Sequence, residues 1–111
     1  MFKITLRLYR HQVGALLEFL PHPANYSFRQ IAALRIEQMI LLDYRSKITA
    51  NQVFTWKNRP TTKAYAFTLP LPVARALWSE LQLPELSYAL QEILGGLDKQ
   101  LKDLGLTRLT A

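Results

Sequence analysis

The chain has 111 residues, half of them hydrophobic and a fifth charged, with a net charge of +6, which is the composition of one folded globular domain and excludes a disordered chain. It has no cysteine, which excludes a disulfide framework, a thiolate nucleophile and a Cys-based zinc site. The longest strongly apolar run is Met39-Ile40-Leu41-Leu42, far short of the roughly 20 residues that cross a bilayer.

Lys3, Arg7 and Arg10 interrupt the N-terminus, so it lacks the unbroken apolar stretch of roughly 7–15 residues that a signal peptide needs. A single cytoplasmic domain spanning 1–111, with no membrane partner, is the expectation.

Residues 2–9 alternate. Phe2, Ile4, Leu6 and Leu8 fall on one face, and Lys3, Thr5, Arg7 and Tyr9 on the other, which predicts a half-buried strand. Val13, Leu16, Leu17 and Leu20 then have helical spacing. Pro21-His22-Pro23 ends that short helix. Ser27-Phe28-Arg29-Gln30 has the form of a capping box, and a long helix is expected from there to about residue 47. Its apolar residues point all around the axis, the pattern of a helix touched on more than one side.

Residues 52–57 alternate again, with Phe54 and Trp56 on one face and Val53 and Thr55 on the other. Asn58-Arg59-Pro60-Thr61-Thr62 reads as a turn, and Lys63 to Leu69 as a return strand. Together they predict a hairpin. Pro72 suits the first turn of a helix over about 72–82. A last helix starts near Pro84 and carries Leu90, Leu94, Leu97, Leu101 and Leu104. That is the spacing of a bundle seam. Gly95-Gly96 in its middle marks a kink, a break or a close approach, and Gly105 is a natural C-cap. Leu16, Leu34, Leu77 and Leu94 are the expected core positions.

Residues 3–20 align without gaps on 64–81, with Leu8 on Leu69, Ala15 on Ala76, Leu16 on Leu77 and Leu20 on Leu81. The expected fold is therefore α+β and two-layered. It has a small three-stranded, mainly antiparallel sheet and four helices in the order β-α-α-β-β-α-α, as two pseudo-duplicated β-α-α units.

Catalytic chemistry finds no foothold. His11 opens a predicted helix and His22 lies between two prolines, and neither has a carboxylate at a spacing that would orient it. The four glycines match no phosphate-gripping loop, and the histidines give no metal-site spacing. The expectation is a protein that is not an enzyme and has no cofactor or metal.

Two surfaces stand out. The acid-free stretch from Tyr44 to Ser79 carries Arg45, Lys47, Lys57, Arg59, Lys63 and Arg75. Within it the expected hairpin, residues 54–65, interleaves aromatics with cations. Trp56, Lys57, Arg59 and Lys63 there could hold nucleic acid, rings stacking on bases and cations holding phosphates. The simpler reading packs Trp56 and Tyr65 on the sheet and leaves the cations to solubility. Lys3, Arg7 and Arg10 on the first strand are the alternative basic site.

The long helix offers Ile36, Met39 and Ile40 to a partner. A thin sheet and an apolar helix both favour pairing. A small non-catalytic protein-interaction module, working as a homodimer or accessory subunit, is the leading expectation. A nucleic-acid-binding accessory protein is the alternative.

Overall fold

The computed structural model describes residues 2–106. Among them are two strands, β1 (Lys3–Leu8) and β2 (Tyr65–Pro70). Six α-helices accompany them: α1 (Arg10–Phe19), α2 (Phe28–Ala32), α3 (Ile36–Ser46), α4 (Ala50–Lys57), α5 (Leu71–Glu80) and α6 (Tyr88–Asp103). A 3-10 turn at Pro23–Asn25 precedes α2.

The strands pair antiparallel, with Ile4 opposite Leu69, Leu6 opposite Phe67 and Leu8 opposite Tyr65. Ile4, Leu6, Leu8, Phe67 and Leu69 are buried, while Thr5, Arg7, Ala66 and Thr68 between them are exposed, as period-2 alternation requires. On the open face the Thr5 and Thr68 hydroxyls lie 3.2 Å apart.

Each strand feeds a helix almost at once. Tyr9 alone separates β1 from α1, and its N–H donates to the buried Gln12 Oε1 at 2.8 Å. Gln12 thereby satisfies an amide that the helix start would orphan. α5 follows β2 with no connecting residue, with Pro72 in its first turn. Leu16, Leu69, Leu77, Leu81, Ile93, Leu97 and Leu101 form the fully buried centre. α3 packs along α5, α6 covers α1 and β1, and α4 lies against α1. No helix among the described residues is long and apolar enough to cross a membrane.

The expected three-stranded sheet with four helices is overturned. The sheet has two strands, and six helices surround it. Residues 52–57 belong to α4, so no hairpin exists over 54–65. The cause is local. Thr49 Oγ1 accepts from the Gln52 amide at 3.2 Å, and Gln52 Oε1 accepts from the Thr49 amide at 2.9 Å. That capping box starts a helix, and Val53 and Trp56, three apart, turn inward from it.

The expected helix over 28–47 is two helices. α2 ends at Ala32, and Arg35 adopts extended backbone as the N-cap of α3. Its guanidinium Nη2 reaches both Glu80 oxygens, at 2.9 and 2.8 Å. The break lets α3 set Leu41 and Leu42 inward, while α2 buries none of its residues.

The order β-α-α-β-β-α-α is likewise replaced by β-α-α-α-α-β-α-α. α5 begins and ends at the positions that the alignment of 3–20 on 64–81 sets against the ends of α1. The two continuations differ, because three helices come after α1 and one after α5. Two equal β-α-α units are therefore not present.

The last helix starts at Tyr88 and runs unbroken through Gly95-Gly96. Leu16 and Leu77 are fully buried, whereas Leu34 and Leu94 are half-buried. Gly105 has φ 73°, the left-handed conformation that a helix C-terminus favours in glycine.

Candidate functional site

The outward stripe of α3 runs Ile36, Met39, Ile40, Asp43, a spacing that puts all four on one side of the helix. Ile36 is 69% exposed and Met39 37%. Opposite them stand Pro70, Pro72 and Val73, from the joint between β2 and α5. The two walls enclose an open groove of about 600 Å³ whose lining is mostly apolar. The three residues singled out from sequence as a partner surface, Ile36, Met39 and Ile40, all line it.

One end of the groove is closed by Tyr44, Asp43 and Lys47. Lys47 Nζ and Asp43 Oδ2 form an ion pair of 3.0 Å, one helical turn apart. Burial pushes the Tyr44 phenol above its ordinary value of 10.0, because desolvation disfavours the phenolate. Beyond Ile36 and Ile40 the surface continues into a smaller cleft lined by Glu37, Pro72 and Arg75. The Leu71 amide donates to the Phe2 carbonyl at 3.1 Å. This holds the start of the chain, with an exposed Phe2 side chain, beside the same β2–α5 joint.

The groove can take apolar side chains and offers charges of both signs at its rim. Its titratable lining residues are Asp43, Tyr44 and Lys47, and two of these are paired with each other. The two histidines are engaged elsewhere. His11 stacks on Tyr9 with ring centroids 6.0 Å apart, and His22 Nδ1 accepts from the Ala24 amide at 3.0 Å, capping the 3-10 turn. Among the described residues no three His, Cys, Asp or Glu side chains gather into a metal site.

The residues proposed from sequence for nucleic acid lie apart from the groove and do not form a hairpin. The half-buried Trp56 ring packs tilted on Phe67, with centroids 5.2 Å apart, and lines a cleft with Tyr44, Gln52 and Thr68. Arg59 lies over the Tyr65 ring at 4.4 Å, and Lys63 at 5.4 Å. Arg10 Nη1 donates to the Lys57 carbonyl at 3.1 Å.

Sequence reasoning missed the second wall of the groove. Pro70 and Pro72 carry a signal for ending a strand, and nothing local says that a helix more than twenty residues upstream will lie across them.

Neither a protein-family model, nor a curated protein, nor a solved structure matches this chain.

Proposed function

We propose that this chain is a small non-catalytic protein-interaction module of the cytoplasm that works by docking the α3 groove, and that the occupant is a second copy of itself. The observation that carries the reading is the convergence of Ile36, Met39 and Ile40 on one apolar groove. Isolated exposed apolar residues are ordinary, but a contiguous groove of them is a docking feature. A second copy is favoured because the rim is self-complementary in charge. Glu37 stands beyond Ile36 at one end, and the Asp43–Lys47 ion pair stands at the other. A two-fold axis brings a surface against itself, so a rim bearing both signs can meet its own opposite. A domain of this size also gains proportionately from added buried area. The absence of cysteine fits a reducing compartment.

Multi-angle light scattering and sedimentation over a wide concentration range test the proposal. The expected result is a dimer that Ile36→Lys with Met39→Lys dissociates while circular dichroism stays unchanged. Both side chains are exposed enough that the substitutions leave the core intact. A protein that is monomeric at every concentration overturns the self-association reading. Retention of the dimer by the double variant would place the interface elsewhere.

A further inference from the structure

The fold brings Arg7 and Arg10 to Lys57, Arg59 and Lys63, which lie far from them in sequence. Arg7 Nη2 donates to the Ala64 carbonyl at 3.2 Å, and Arg10 Nη1 to the Lys57 carbonyl at 3.1 Å. These bonds tie the end of β1 and the start of α1 to the two ends of the loop over 58–64. Tyr65, opposite Leu8 in the sheet, anchors the rest, since Arg59 and Lys63 both lie over its ring. Those two charges are thus within a Debye length of each other, about 10 Å at 0.1 M salt. Among the described residues none of Arg7, Arg10, Lys57, Arg59 and Lys63 pairs with a carboxylate. The two ion pairs present there are Arg35–Glu80 and Lys47–Asp43.

Like charges held together without a counter-charge raise the local potential, and an anion that spans several of them relieves it. We propose that this cluster binds the phosphate backbone of nucleic acid. This proposal is independent of the α3 groove. None of the five cations lines the groove, and Tyr65, which anchors two of them, begins β2 while the groove residue Pro70 ends it.

Three features select nucleic acid. Three of the five cations are arginines, whose planar donor forks match phosphate oxygens. Arg7 and Arg10 each bind a backbone carbonyl through one nitrogen, which orients the group and leaves its other donors for a ligand. The loop itself supplies neutral donors at Thr61 and Thr62, both exposed, of the kind that contact phosphates. Its only apolar residues are Pro60 and Ala64, so it has no bulky side chain to enter a bilayer. The ring within the cluster, Tyr65, lies under its two cations, and the loop over 58–64 carries no aromatic side chain. Contact is therefore to the backbone and is independent of base sequence.

The test is an anisotropy titration of the full chain against a fluorescein-labelled DNA duplex of mixed sequence, from about 50 to about 200 mM salt. Affinity should fall steeply with salt. The triple change Lys57→Gln, Arg59→Gln, Lys63→Gln should lower the log–log salt slope by about 0.9 per lost phosphate contact, near 2.7 in all. A charge-matched triple at exposed positions outside the cluster, Arg29→Gln, Lys99→Gln, Lys102→Gln, should leave the slope unchanged. Because Arg59 and Lys63 pack on Tyr65, the single change Lys57→Glu at an exposed position serves as a second variant and should also weaken binding. Absence of affinity at low salt overturns the proposal. So does equal weakening by the matched triple, or tighter binding to phosphatidylserine vesicles or polyglutamate than to the duplex.

Discussion

A Cβ placed on Gly96 of α6 would sit 3.1 Å from Leu6 Cδ2 of β1, while one placed on Gly95 meets nothing within 4 Å. The two glycines look alike in sequence, yet they answer to different constraints. Gly96 lets the helix lie close on the strand, and Gly95 merely weakens it.

Gly95→Ala should therefore stabilise the domain by about 0.5–1 kcal/mol, the helix-propensity difference. Gly96→Ala must displace Leu6, which is buried opposite Phe67, and should fall at least ~0.5 kcal/mol below Gly95→Ala. Thermal melts of the two variants decide it. Equal gains would show that Leu6 yields freely.

Leu77 is fully buried and belongs to the central cluster, whereas Leu34 is half-buried and outside it. Leu77→Ala should cost about 2–5 kcal/mol. Leu34→Ala should cost about 1 kcal/mol or less, since it opens no cavity in the core. Urea titrations with unchanged m-values measure both. A Leu34→Ala loss as large as that of Leu77→Ala would contradict the division of the helix at Ala33–Arg35.

Thr49 begins α4 by capping Gln52. Thr49→Ala should lower stability by about 0.5–2 kcal/mol, and Thr49→Ser should restore most of it, because the serine oxygen can accept the same bond. A strand over 52–57 would make both substitutions nearly silent.

Tyr44 holds its proton more firmly when folded than when unfolded, because burial disfavours the phenolate. Its folded value is raised, so its contribution is fully present below the unfolded value of 10.0 and is lost as pH rises through the higher folded one. Stability should decline above about pH 10, and Tyr44→Phe should decline less steeply. The check is the difference between the two chemical-denaturation curves across pH 9 to 12, with the ordinary tyrosine and lysine titrations common to both. Parallel curves would remove Tyr44 from the alkaline transition.

The elements legible in the sequence were those with a clean period and firm punctuation. β1 alternates over six residues, β2 alternates up to Pro70, and α1, α5 and α6 have apolar stripes of helical spacing. The segment 52–57 misleads because Val, Thr, Phe and Trp favour strands and six residues are too few to separate the two periods. The Thr49–Gln52 capping box was the local signal that could have corrected it. The break at Ala33–Arg35 has a weaker signal, since neither glycine nor proline lies between Phe28 and Lys47 and only Gln38 Oε1, accepting from the Arg35 amide at 3.3 Å, marks the new start. A long-range contact adds to it, the Arg35 guanidinium reaching Glu80 of α5. The pairing of β2 with β1 instead of with its sequence neighbour is also a long-range choice.

The surfaces divide in the same way. Ile36, Met39 and Ile40 were visible as apolar residues on an unstriped helix, but Pro70, Pro72 and Val73 joined them only through the packing of α3 along α5. The acid-free stretch announced Lys57, Arg59 and Lys63. Arg7 and Arg10 joined them only when β1 and α1 came to rest against the loop over 58–64.

The loop over 58–64 also joins two parts of the chain that complete each other. Each half owns one strand, and a lone strand has no ladder partner. α3 from the first half lies on α5 of the second, while α6 from the second lies on α1 and β1 of the first. A chain cut at Thr61–Thr62, in this exposed loop, is thus a natural candidate for fragment complementation. The separate pieces, each with an apolar strand face to cover, would recover the fold by assembling on one another.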